Sequence, residues 1–161
     1  MKLHYAATAA LAVALAAPAS ADLLARKDLD MMTALTIATT AVETCKTNGF
    51  GVSAAVVGRN GEILIHLRGD NTGPHTMENS FRKAYTSRTF RITSGEMAQR
   101  LKENPQLAAV YLSNIVPAQG ALPIKLGEEV IGALGISGAP GGDKDEVCAK
   151  AGIDKVAAEL K

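Results

Sequence analysis

Residues 52–67 read VSAAVVGRNGEILIHL, and this stretch decides the fold. Val52 to Val57 is small and β-branched, Arg59-Asn60-Gly61 makes a tight turn, and Glu62 to Leu67 continues as a second strand. Asn-Gly between two such runs is the strongest short hairpin signal a sequence offers. Ile63, Ile65 and Leu67 share one face of the second strand, with Leu64 and His66 on the other. A strand histidine of this kind is more often hydrogen-bonded packing than a metal ligand. A second hairpin is expected from Ala121 to Leu126, a turn at Gly127-Glu128-Glu129, and Val130 to Ser137. Gly132 and Gly135 strip part of its last strand of side chains, so either another backbone or a flat ligand approaches closely there.

Helical patterns surround the hairpins. Asp30 is a fitting N-cap for a helix to about Lys46, with Ala34, Leu35, Ala38, Ala41, Val42 and Cys45 on one face and Asn48-Gly49 as its stop. Thr93 and Glu96 form a capping box that starts a short helix through about Lys102. Asn104-Pro105 opens a third piece ending near Leu112. Gly138-Ala139-Pro140-Gly141-Gly142 leads into a final helix with Cys148, Ala149, Gly152, Ile153, Val156 and Leu160 inward. A Gly-rich loop at a helix start suits an anion, and equally a plain turn. With no Walker lysine-serine pair and no GxGxxG, nucleotide binding is not indicated. Hairpins joined by short turns and separated by helices make an α+β domain, an antiparallel sheet with helices packed on it.

The chemistry concentrates between the hairpins, in RGDNTGPHTMENSFRKAYTSRTF, residues 68–90. A turn cluster from Gly69 to Pro74 launches a helix whose apolar positions, Met77, Phe81, Ala84 and Tyr85, form one stripe. Arg82, Lys83 and Arg88 fall off that stripe. His75 stands at the helix mouth, where the positive end of the helix dipole favours the neutral imidazole that binds metals. A turn-stabilising histidine is the plainer reading of the same residue.

The chain of 161 residues is long enough for one domain. Residues 1–21 differ from the rest: Lys2, an apolar alanine-rich run, then Ala19-Ser20-Ala21, the pattern of a secretory signal peptide cleaved before Asp22. That predicts a mature domain over 22–161 in the periplasm or outside the cell, with no membrane span of its own. Lys2 is the only charge in the leader, so the 17 basic and 16 acidic residues become equal in number once it is removed. A neutral chain without a basic block does not suit nucleic acid or an anionic membrane. Cys45 and Cys148 form no CxxC or CxxCH, which excludes a thioredoxin-type site and covalent haem attachment. In an oxidising compartment a disulfide joining the first and last helices is expected, with two buried free thiols as the alternative.

The 68–90 stretch, the following PAQGALPI at 117–124 and GEEVIGALGISGAPGGDKDEVCAKAGI at 127–153 together resemble the GlcG-like and HbpS-like haem-binding family, which includes the C-terminal domain of PduO-type proteins. The resemblance spans roughly Leu29 to Leu160. It implies a profilin- or PAS-like α+β fold, assembly into homo-oligomers and, for several members, haem binding. The low charge of the second hairpin outside its turn and Lys125 gives assembly a second, weaker support.

Haem requires an axial donor, apolar walls and partners for its propionates. His75 is the candidate iron ligand; Met77, Phe81, Met97 and Leu101 are candidate walls, and Arg68, Arg88 or Arg91 candidate propionate partners. Non-covalent haem binding for uptake, buffering or sensing is therefore the leading expectation. The alternatives are an enzyme acting on haem or on a small organic acid, and an oligomeric ligand-binding module without cofactor. No Ser-His-Asp or Cys-His arrangement supports an enzyme, and Asp70, Glu78 and Glu96 are ordinary helix-start acids.

Overall fold

The structure is a computed structural model and describes residues 23–107 and 112–161. The expected leader and its cleavage position lie outside the described residues, as do 108–111 of the expected third helix. Residues 104–107, where that helix was to begin, form a turn.

Helix α1 (Met31–Thr47) leads into strands β1 (Ser53–Val57) and β2 (Ile63–Arg68). Helices α2 (Thr76–Phe90) and α3 (Ser94–Glu103) follow, then β3 (Ala121–Leu126), β4 (Glu129–Ser137) and α4 (Gly142–Lys155). The strands form one antiparallel sheet in the order β2-β1-β4-β3, so the two predicted hairpins lie side by side, joined through β1 and β4. The fold is α+β, with helices on both faces of the sheet.

Helix starts follow the sequence closely. The Asp30 carboxylate accepts from the backbone N–H groups of Met32 (2.8 Å) and Thr33 (2.9 Å), satisfying donors that a helix start leaves free. At α3 both halves of the capping box form, between Thr93 and Glu96.

One sheet face carries the apolar core. Ala54, Val56, Leu134 and Ile136 pack there against Ile37, Ala38 and Ala41 of α1 and Ala149 of α4. Cys45 and Cys148 are bonded across these two helices, with Cα atoms 5.5 Å apart. The buried face of α1 is rotated from the expected one: Ile37 is fully buried, whereas Leu35 and Val42 are only partly so. The cause lies at Gly152, where a Cβ would collide with the Ile37 carbonyl and meet Ala41 Cβ at 3.1 Å. Close approach of α4 turns the small-residue side of α1 towards it. Helix α4 itself ends at Lys155 rather than near Leu160, with Val156 buried just beyond it.

The opposite face is built of small and polar residues. In register across the sheet lie His66, Ala55, Gly135 and Ala121. Helix α2 crosses that row at Gly135, where any Cβ would collide with the Ser80 carbonyl. The close approach that the glycine permits is therefore by backbone. It also overturns the expected orientation of α2, whose buried residues are Thr76, Ser80, Lys83, Ala84, Thr86 and Ser87. Met77, Phe81 and Tyr85 are left partly buried. Larger side chains would hold the helix off the sheet, and the buried hydroxyls are satisfied locally. Ser80 Oγ donates to the Met77 carbonyl, Thr86 Oγ1 to Arg82 and Ser87 Oγ to Ile92. Both faces of β4 are covered within one chain, so its lack of charge needs no second copy to explain it.

Candidate functional site

His75 occupies the N-cap position of α2 but makes no side-chain capping bond. Its ring is exposed beside Gly73, where a Cβ would lie 2.9 Å from Cε1, so the glycine leaves room for the imidazole. Asn79 and Lys83 follow one and two turns later on the same side of the helix, about 6 and 12 Å along its axis. All three line a single open cavity of roughly 580 Å³, with Phe50, Ser137 and Asp145 on its other walls.

The floor of this cavity is an ion pair. Lys83 Nζ donates to Asp145 Oδ2 (2.9 Å) and to the Ile136 carbonyl (3.2 Å), and both residues are almost completely buried, at 4% and 2% exposure. Asp145 Oδ1 accepts from the Ala139 backbone N–H at 3.1 Å. Burial pushes the Asp145 carboxyl above its ordinary range, and the Lys83 ammonium works against that rise. Above the pair, Asn79 Nδ2 donates to Ser137 Oγ (2.9 Å). Gly120 makes room for the ammonium: it lies at φ +131°, and a Cβ there would stand 2.6 Å from Nζ. The N-termini of α2 and α4 both open on this cavity, and neither is capped by a side chain, unlike those of α1 and α3.

An adjoining hollow of roughly 460 Å³ shares Phe50, Gly51 and Asn71 with the cavity and holds Arg68. Arg68 donates from Nη2 to the Thr72 carbonyl (2.7 Å), which holds its guanidinium over the turn before His75. The structure thus brings His75 and Arg68 to neighbouring hollows. It does not bring the other predicted residues there. Phe81 packs on Ala55, Val57, Ala84 and Ala133, with its ring centroid 5.8 Å from that of Tyr85. The Met77 side chain is partly buried and its carbonyl accepts from His66 Nε2 (2.9 Å), which fits His66 as packing. Met97 is buried in α3, and Leu101, further along that helix, is partly buried. Arg88 and Arg91 stand at the far end of α2, about 20 Å along the helix from His75. The Arg88 Nε is buried without a partner among the described residues, and burial, then Arg91 and Arg59, lowers the proton affinity of its guanidinium.

Asn79, Lys83, Ser137 and Asp145 were not singled out as site residues from sequence. The spacing of His75, Asn79 and Lys83 at i, i+4 and i+8 was a legible signal for the first two. The partnership of Lys83 with Asp145, 62 positions away, had none. No group of three or more metal-ligating side chains occurs among the described residues, and no described helix is long and apolar enough to cross a membrane.

A four-stranded antiparallel sheet between two helical layers, with an open cavity at the starts of α2 and α4, defines a small α+β domain. The chain belongs to the HbpS-like family of haem-degrading proteins, whose model matches residues 29–154. HbpS of Streptomyces reticuli, crystallised as a double mutant, superposes with a TM-score of 0.79 at 35% identity, covering 88% of this chain and 97% of that one. A 15.0 kDa protein encoded in the dhaT-dhaS intergenic region of Citrobacter freundii is 31% identical over 103 residues, 62% of this chain and 72% of its own length. At the level of fold alone, a haem complex of PduOC superposes with a TM-score of 0.73 at 20% identity, covering 80% and 94% of the two chains.

Proposed function

We propose that this protein is exported and binds haem non-covalently, with His75 as the axial ligand to iron. The observation that carries the assignment is an exposed imidazole without a hydrogen-bond partner among the described residues, standing on a cavity of ligand size. Roughly 580 Å³ lies inside the 300–1,000 Å³ typical of small-molecule and cofactor sites. Membership of a haem-degrading family and the haem-bound fold relative support the choice of ligand.

The donor set fits the group in part. His75 supplies the nitrogen; Phe50, Ala118, Ala139 and Pro140 supply an apolar wall; Arg68 in the adjoining hollow offers a charge-assisted partner for a propionate. Arg88, Met77, Phe81 and Met97 have no place in this arrangement within one chain. Bound haem would supply a redox-active iron; the protein's own part is to hold and orient it. The signal-like leader and the Cys45–Cys148 bridge support an oxidising compartment, periplasmic or extracellular. Assembly into homo-oligomers is carried over from the family resemblance.

Hemin titration of the wild-type protein beside His75→Ala tests the reading. The wild type should give a saturable Soret shift that the variant loses or displaces. Equal affinity and an unchanged spectrum in His75→Ala would remove His75 as the ligand, and no saturable change in the wild type would remove haem itself.

A further inference from the structure

The Lys83–Asp145 pair plays no part in holding haem at His75, yet it is the most completely buried charge in the cavity. Burying two ions carries a desolvation cost that well-packed apolar residues would avoid. Here the pair does not sit in a closed core: it forms the floor of an open cavity. Its bonding is also incomplete. An ammonium carries three donors, and two are used, on Asp145 and on the Ile136 carbonyl.

We propose that this floor is a binding site for a small monocarboxylate, which accepts the third N–H of Lys83. Other donors converge from the walls. Ser137 Oγ receives the Asn79 amide, which leaves its own hydroxyl hydrogen to give, and Asn79 keeps a second N–H. The uncapped starts of α2 and α4 add the positive ends of two helix dipoles to the same space. The charge balance selects the ligand. Asp145, 2.9 Å from Nζ, already neutralises the ammonium, so its carboxylate repels any anion on this floor, and a doubly charged one such as phosphate more strongly than a singly charged one. A single carboxylate instead completes an alternation of ligand, Lys83 and Asp145. Gly120 preserves the geometry, because any side chain there would strike Nζ.

The inference shares the cavity with the proposed haem site but does not depend on haem binding, and its test leaves haem out. Calorimetric titration of the haem-free protein with acetate, with inorganic phosphate and with chloride at matched ionic strength is the experiment. Saturable acetate binding is expected, with phosphate and chloride weaker. Lys83→Met alone strands a buried carboxylate and risks unfolding, so the informative variant is Lys83→Met with Asp145→Leu, checked for a cooperative thermal transition and an intact disulfide. Folded double variant should bind acetate at least about tenfold more weakly, as loss of a hydrogen bond to a charged group implies. Ser137→Ala should weaken it less. Failure of the wild type to bind acetate, binding undiminished in the folded double variant, or phosphate bound as tightly as acetate would each overturn the proposal.

Discussion

The two faces of one sheet are built on opposite principles. Towards α1 and α4 the strands present Val56, Leu134 and Ile136, and the helices answer with Ile37, Ala41 and a covalent bridge. Towards α2 the same strands present Ser53, Ala55, Gly135 and Ser137, and the helix answers with Thr76, Ser80 and Lys83. Ser53 and Thr76 hydroxyls meet at 2.8 Å in full burial, a contact with no counterpart across the sheet among the described residues. Apolar burial is non-directional and tolerates exchange of similar volumes, so the first face is suited to holding the fold. Polar contacts at fixed distances tolerate little, and where they stop short of filling space they leave a cavity lined with donors. Stability and binding are thereby separated by the thickness of a sheet.

Breaking the bridge should have the largest effect. Replacing Cys45 and Cys148 by alanine opens a loop closed across 103 positions, for which chain entropy gives a loss of about 4–5 kcal/mol. Denaturant unfolding with and without reductant measures it; a midpoint that is insensitive to reductant would show the apolar face to be sufficient without its bridge. Gly135→Ala comes next. The new methyl meets the Ser80 carbonyl and the Ala84 backbone rather than a movable side chain, so a loss of about 1–3 kcal/mol is expected from overpacking. Such a variant should also disturb ligand binding in the cavity, because α2 carries His75, Asn79 and Lys83 together. An unaffected ligand titration would show that α2 is not a rigid carrier of the site.

Asp30→Ala should have a smaller effect, confined to the apolar side, and one that depends on pH. Hydrogen bonds from Thr33, with those from Met32, hold the Asp30 carboxyl below its ordinary value of 3.8. A depressed carboxyl stabilises the fold above the unfolded-state value and loses that contribution as pH falls through the folded-state value. The melting-temperature gap between wild type and Asp30→Ala should therefore be constant near neutrality and close below pH 3.8. A gap that widens in acid would contradict the capping role. His75→Ala should change stability least, within about 0.5 kcal/mol, since an exposed side chain without hydrogen-bond partners among the described residues holds little in place. A substantial drop in melting temperature would show that the imidazole belongs to the structure and would weaken its assignment to a ligand.

Much of this is legible in the amino-acid sequence. The Asn60-Gly61 turn identified the first hairpin, Gly127 to Glu129 the second, and Asp30 and Thr93 the starts of two helices, because each acts through bonds to residues within four positions. His75 as a candidate site residue was visible by its type and place alone. The inward face of α2 was not. Met77, Phe81 and Tyr85 form a convincing apolar stripe, yet Gly135 lets the backbone of α2 sit so close that only its small and polar side fits. Periodicity reports which residues prefer burial; it cannot report how near the opposing surface stands.

By itself, then, the sequence determined the two antiparallel hairpins, the four helices around them and the partnership expected of its two cysteines. These follow from local turn and capping chemistry, from period-two and helical patterns, and from there being one pair of thiols to join. Only the tertiary structure decided that α2 turns its polar side inward, that Arg88 and Met97 stand away from His75, and that Lys83 meets Asp145 beneath a shared cavity. A pair 62 positions apart on two different helices leaves no mark on either segment. Its existence depends on the distance between α2 and the strand beneath it, which is set by the missing side chain at Gly135 and by the packing of the whole sheet.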